Sequence, residues 1–351
     1  MTRRASRATA LALIAVLVAL AAGCGGSDEN AGGTTPTETM PTETTPAKTI
    51  KVGLVADAGE LNDNGFNELA YKGLKRAQRE LGIDGRVVEA NSAADYVPNM
   101  ATLARQGYDL IIGVGFAQGD AIAADAKRFP NTSFAIVDVD QASLKGKPKN
   151  VQGLLFREEQ VGYLVGYLAA LEAKRAGAKS VSAVGGFKQP PVDRFIAGYK
   201  AGARAAVPGT TVRWDYSQDW EDQAKCKELA LNQIAAGSKV VFQVAGGCGL
   251  GTLSAADAAG IWGIGVDKDQ YNDAKRVLTS GVKRVDNGVF QAVQQVADGK
   301  FAGGTDLNFD LANGGMDVGK INPAVPQDLI DKMNELKQKI IDKKVKPPTA
   351  L

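Results

Sequence analysis

From residue 49 onward, short β-branched apolar runs alternate with longer segments whose apolar residues recur at helical spacing, and this alternation limits the fold more than any other feature. Residues 50–55, 86–89, 110–114, 133–139 and 151–156 read as strands, with helices at 66–81, 99–106 and 120–129 between them. The pattern then restarts. A helix over 159–174, with Leu164, Leu168 and Leu171 on one face, leads to strands at 181–184, 211–216, 240–245 and 262–266, separated by helices at 192–206, 221–235 and 253–258. Strands bounded by glycines and joined through helices form βαβ units and parallel sheets. One sheet would have to be unusually wide to hold them all, so the pattern predicts two doubly wound α/β lobes.

In open parallel sheets, ligands bind beyond the carboxyl ends of the strands. The residues at those places are Asp57 after the first strand, Phe116 after Gly113-Val114-Gly115, and Asp138 and Asp140 after the fourth strand. In the second lobe they are Gly246-Gly247-Cys248-Gly249 and Asp267. For any one such aspartate, capping the next helix is the ordinary alternative.

Several kinds of chemistry are excluded. The chain has no histidine, so Ser-His-Asp or Cys-His nucleophiles, a histidine general base and a His-ligated zinc cannot be built. With 41 Lys+Arg against 39 Asp+Glu it lacks the basic excess of a nucleic-acid binder. The dinucleotide fingerprint fails because its third glycine is Thr252, Ser254 or Gln118 in the three candidate frames. No Gly-Lys pair precedes Ser or Thr, which removes a Walker A loop. The acidic run Asp267, Asp269, Asp273 has Asn272 where a calcium loop needs its glycine and Leu278 where it needs glutamate. No metal or cofactor is therefore expected.

The first residues read as an address. Arg3, Arg4 and Arg7 precede the apolar run 11–22, which as a helix spans only about 18 Å, short of a hydrocarbon core of about 30 Å. This is a secretory signal over residues 1–23. Without its three arginines the mature chain carries a formal charge of −1. Ala21, Ala22 and Gly23 before Cys24 resemble a lipobox, with Cys24 as the lipidated residue, although Ala21 stands where leucine is preferred; ordinary cleavage with an incidental cysteine is the alternative. Residues 24–47, rich in Thr, Pro, Gly and Glu, make a flexible tether. The expected location is the outer side of the cell membrane, held by lipid. Export also allows disulfides, so Cys226 and Cys248, at a helix start and a strand end on one sheet edge, are either bridged or two buried thiols.

Together these segments resemble the basic membrane protein (Bmp/PnrA-like) lipoproteins, substrate-binding components of ABC transporters for purine nucleosides. The resemblance rests on Gly53-Leu54-Val55-Ala56-Asp57, Asn62-Asp63-Asn64-Gly65-Phe66-Asn67, Gly113-Val114-Gly115-Phe116, residues 150–156 with Glu159-Gln160, residues 162–170, Gly185-Gly186, Gly265-Val266-Asp267 with Asp269-Gln270, and Leu278-Thr279-Ser280 with Lys283. The family commonly has Asp-Lys-Ser-Phe-Asn where this chain has Asp63-Asn64-Gly65-Phe66-Asn67.

The resemblance implies a type I periplasmic-binding-protein fold, with two lobes joined by three crossings near Val151, Ser280 and residues 316–319. The N-terminal lobe would take 48–151 with 281–316, and the C-terminal lobe 152–280 with 317–351. It also implies a ligand site made of Asp57, Asn64, Phe66, Asn67, Phe116, Asp138, Trp220, Gly247, Asp267 and Lys283. Phe66 and Trp220 would sandwich a flat purine, although a core position and a helix-entry staple are their ordinary explanations. Asp267 would hold ribose hydroxyls, with Lys283 bridging to the ribose or pairing with that carboxylate. The implied partners are a purine nucleoside, an ABC permease and its ATPase, for a monomer with no nucleic-acid partner and no enzyme activity. A same-fold receptor for a sugar or signalling molecule is the competing reading. A nucleoside hydrolase is a weaker one, since Ala56-Asp57-Ala58-Gly59 lacks the aspartate density such enzymes use.

Overall fold

The structure, a computed structural model, describes residues 49–351; the signal segment, Cys24 and the tether lie outside the described residues. The chain opens with β1 (Lys51–Ala58), α1 (Phe66–Leu81), β2 (Asp84–Ala90), α2 (Tyr96–Arg105), β3 (Leu110–Gly113), α3 (Gly119–Arg128), β4 (Ser133–Val137) and β5 (Val151–Phe156). It continues with α4 (Glu158–Arg175), β6 (Ser180–Gly185), α5 (Pro190–Ala206), β7 (Thr211–Tyr216), α6 (Gln223–Ala235), β8 (Val240–Val244), α7 (Gly249–Ala258), β9 (Trp262–Asp267) and β10 (Val277–Lys283). The last elements are α8 (Val285–Ala297), β11 (Asp306–Phe309), β12 (Met316–Val318) and α9 (Gln327–Ile341). Residues Lys48–Leu351 form one compact unit with its own core.

Two six-stranded sheets result, ordered β11-β5-β4-β3-β1-β2 and β12-β10-β9-β8-β6-β7. All neighbours in the first are parallel; in the second only β12 runs antiparallel, against β10. The lobes thus repeat one strand plan. Central strands are buried on both faces instead of alternating, because helices cover both faces: β1 is buried at six consecutive positions and β8 at all five.

The sheets move the three expected crossings by a few residues. β5 pairs with β4 from Val151 to Leu154, so all of 151–156 belongs to the first lobe and the chain crosses at Arg157. β10 pairs with β9 as far as Val282, which sets the second crossing at Arg284 instead of Ser280. β12 lies wholly in the second sheet, so the third falls at residues 310–315, before Met316. In each case a strand completes its ladder before leaving, because buried backbone groups must be paired. Periodicity did not outline the elements after residue 267. It also started α5 at Val192, whereas the helix begins with Pro190 and Pro191, positions where a missing N–H costs nothing.

The second lobe is held against the crossing by two helices in backbone contact. A methyl group at Gly162 or Gly166 of α4 would overlap the carbonyl oxygens of Phe195 or Tyr199 in α5. Reciprocally, one at Gly198 or Gly202 of α5 would overlap those of Glu159 or Tyr163 in α4. Cys226 and Cys248 are joined as a disulfide with 5.6 Å between their Cα atoms, which decides between the two alternatives left by the sequence. Gly166→Ala should destabilise the protein by about 1–3 kcal/mol despite alanine's better helix propensity, because the added methyl has no space. A urea titration should show a lower midpoint with an unchanged slope; an unchanged midpoint would refute the backbone contact.

Candidate functional site

The carboxyl ends of both sheets face one another across a cavity of about 200 Å³. The first lobe contributes Asp57 at the end of β1, Asp63 in the loop after it, Phe66 and Asn67 at the start of α1, the turn after β3 (Gly115, Phe116) and Asp138 after β4. The second contributes Val192 and Phe195 from α5, Trp220 and Glu221 after β7, Gly246 and Gly247 after β8, Asp267 at the end of β9 and Lys283 at the end of β10. Of the ten sequence-derived ligand residues, nine line this cavity; Asn64 does not.

Phe66 is placed by the start of α1. Asp63 accepts hydrogen bonds from the N–H groups of Gly65, Asn67 and Glu68, fixing that helix end. Asn67 is buried and braces the loop, accepting from the Asp57 N–H and donating to the Asp57 and Glu60 carbonyls. Asn64 points away from the cavity and donates to Asp273 at 2.5 Å, while its carbonyl accepts from Gln270 at 3.0 Å. With Lys268 paired to Glu68 at 3.0 Å, these contacts join the two lobes along one edge of the cleft. Asn64, at φ +56°, serves this edge and not the cavity.

Lys283 is almost wholly buried yet lies in a chain of charges. Its Nζ is 2.7 Å from Asp138 and 2.8 Å from Glu158, and the other oxygen of Glu158 is 2.6 Å from Arg194 Nε. Burial pulls the ammonium pKa down, but attraction by Asp138, Glu158 and Asp267 outweighs it and the net shift is upward. Burial likewise pushes Glu158 up, and Lys283 with Arg194 carries it below its ordinary value. Lys283 is therefore charged and engaged. Its Nζ also stands 5.1 Å from the ring centroids of both Phe66 and Phe156.

Two strand-end carboxylates stay less committed. Asp267, at φ +63°, is pushed up to about 7 by burial and by Asp63, Asp138 and Glu158, with Lys283 opposing. Asp57 is raised to about 6 by burial, against hydrogen bonds from the Tyr96 hydroxyl and the Ala58 N–H. Both lie where a ligand's donors could replace lost water. Asp140 instead caps the short turn that follows it, accepting from the Ala142 N–H at 2.7 Å.

No pattern in the sequence assigned Tyr96, Glu158, Arg194, Val192 or Phe195 to the site. The adjacent acids Glu158-Glu159 at the head of an otherwise apolar helix were the legible hint of a buried charge partner. The others sit at ordinary helical positions and carry no local signal.

A family model for PnrA-like ABC transporter substrate-binding proteins matches residues 50–350. The chain is 34% identical to the ABC transporter nucleoside-binding protein BmpA of Lactococcus lactis, covering 99% of this chain and all of that protein. It is 30% identical to Basic membrane protein B of Borrelia garinii, over 78% of this chain and 82% of that one. Among solved structures, an ABC transporter solute-binding protein from Aeropyrum pernix superposes with a TM-score of 0.77 at 28% identity, covering 86% and 93% of the two chains. One from Conexibacter woesei gives 0.68 at 25% identity, over 86% and 99%. The matching model, the full-length relatives and the two-lobed cleft agree: the chain belongs to the Bmp family of PnrA-like ABC transporter substrate-binding proteins.

Proposed function

We propose that this protein captures a purine nucleoside between its lobes and delivers it intact to an ABC permease, itself driven by its ATPase. A lipid on Cys24 and the tether that follows would keep it beside the outer face of the membrane. One observation carries the reading: an aromatic ring from each lobe, Phe66 and Trp220, shares a small cavity with the buried carboxylates Asp57 and Asp267. Aromatic faces suit a flat base, and carboxylates suit the paired hydroxyls of a ribose. The nucleoside-binding relative in Lactococcus supports it.

The lining disfavours a phosphate. Asp57, Glu60, Asp63, Asp138, Glu221 and Asp267 face the cavity, and the one cation among the described lining residues, Lys283, is already held by Asp138 and Glu158. A nucleotide would bring two further negative charges into this field. Nucleosides should therefore bind and nucleotides should not.

Titration calorimetry on the Lys48–Leu351 unit, unfolded and refolded to strip carried ligand with the bridge kept oxidised, tests this. Adenosine, guanosine or inosine should bind with micromolar or better affinity, ribose and AMP far more weakly, with chromatography showing the nucleoside intact. Phe66→Ala and Trp220→Ala should each cost about tenfold or more in Kd. Silence across the purine nucleosides, or release of free base, would sink the reading.

Protonation gives a second test. Asp267 accepts hydroxyl hydrogen bonds best when ionised, and in the empty site it ionises only near pH 7. Affinity should rise between about pH 6 and 8 with proton release, and Asp267→Asn should flatten that profile. Stability of the empty protein should run the other way. The carboxyl holds its proton more tightly folded than unfolded, so its stabilising share is complete below the ordinary value of 3.8 and is lost as pH rises through about 7. Melting curves should show Asp267→Asn losing less stability than the unsubstituted protein between pH 5 and 8.

A further inference from the structure

The second-lobe wall of the cavity is assembled from two segments distant in sequence. Residues 217–222 lead from β7 into α6 and carry Trp220; the turn Gly246–Cys248 follows β8 and carries Gly246 and Gly247. They are fastened together twice. The Cys248 N–H donates to the Trp220 carbonyl at 2.8 Å, and the Cys248 sulfur is bonded to Cys226 in the first turns of α6. Both cysteines are fully buried. On its far side the Trp220 indole lies against Gly186, where any side chain would overlap the ring, with Phe187 tilted at 53° and 5.3 Å away.

The matching place in the first lobe shows what this fastening does. There the turn Phe116–Gln118 follows β3, and its third residue ties the wall together through a side chain. Gln118 Nε2 donates to the carbonyls of Val55, Ala56 and Val114 at 3.0, 3.1 and 2.9 Å, locking the turn to the end of β1. In the second lobe the third residue of the equivalent turn is Cys248. A thiol cannot reach three carbonyls, and here the turn is held by a covalent bond to helix α6 instead of by hydrogen bonds to a neighbouring strand.

We propose that the Cys226–Cys248 bridge is a positioning element of the ligand site: it holds Trp220 and the Gly246–Gly247 turn in their binding arrangement, so that affinity depends on the bridge being closed. The inference rests on the nucleoside reading for its ligand. Wall segments free to move in the empty protein must be ordered on binding, and pre-fastening them removes that entropy cost. A bridge acting only as a fold staple would change stability and leave affinity to the folded protein unchanged.

The test is a double-mutant cycle on the Lys48–Leu351 unit with inosine as probe, at a temperature where circular dichroism shows every variant folded. Cys226→Ala with Cys248→Ala should raise Kd about tenfold, mostly through faster release, whereas in a Trp220→Ala background the same change should raise it less than about twofold. Should the double alanine variant not fold, the unsubstituted chain replaces it. A phosphine with one water takes the bridge to two thiols, the water giving its oxygen to the phosphine oxide and its protons to the sulfurs, and reoxidation should restore affinity. Equal losses in both backgrounds, or no loss on opening the bridge, would overturn the proposal. If inosine does not bind the oxidised chain, the nucleoside reading has failed separately and a ligand-free readout decides. With Trp214→Phe and Trp262→Phe, Trp220 is the sole tryptophan, and opening the bridge should increase its quenching by acrylamide; unchanged quenching overturns the proposal.

Discussion

The arrangement turns on one buried ammonium. Lys283 ends β10 immediately before one crossing, Glu158 begins α4 immediately after another, and Asp138 stands at the end of β4 in the other lobe. A buried lysine without partners would shed its proton, and two buried carboxylates without a cation would take one up. Each group therefore needs the others in place. Removing one member of such a cluster leaves uncompensated charge and costs on the order of 3–5 kcal/mol, far more than the intact cluster contributes. The same ammonium faces Phe66 and lies close enough to Asp267 to moderate its ionisation. A single cation thereby links both crossings to the Phe66 ring and to the Asp267 carboxylate.

Around this point the two lobes solve one problem with different chemistry. Both follow the same strand order, and both bring strand ends, a short turn and an aspartate at positive φ to the cleft: Asp138 in the first lobe and Asp267 in the second. Their surroundings then set them apart. Burial raises both carboxyls above their ordinary value, but Asp138 is paired with Lys283, whereas Asp267, pushed up to about 7, faces the cavity. The turns diverge likewise, with the amide of Gln118 on one side and the Cys226–Cys248 bond on the other.

Much of this was legible in the residues. The alternation of apolar runs and helical segments gave the two lobes, since the covered parallel strands of each sheet need uninterrupted β-branched runs. The rule that ligands lie beyond strand ends picked out Asp57, Phe116, Asp138, Gly247 and Asp267 before any contact was known. The rule could not say which aspartate is spoken for, because the partner of Asp138, Lys283, lies 145 positions away. Asn64 fell outside the cavity for a similar reason: its partner Asp273 belongs to a loop of the opposite lobe.

What the sequence by itself determined is therefore local and periodic: element type, the repeated lobe plan, and the chemical classes removed by the absence of histidine. These follow from backbone preference and side-chain inventory, which neighbouring residues fix. Only the tertiary structure decided the crossings at Arg157, Arg284 and residues 310–315, the joining of Cys226 to Cys248, and the division of labour among the carboxylates. The physical reason is that ladder completion, disulfide distance and ionisation depend on groups brought together across long stretches of chain, and no local pattern records which groups those will be.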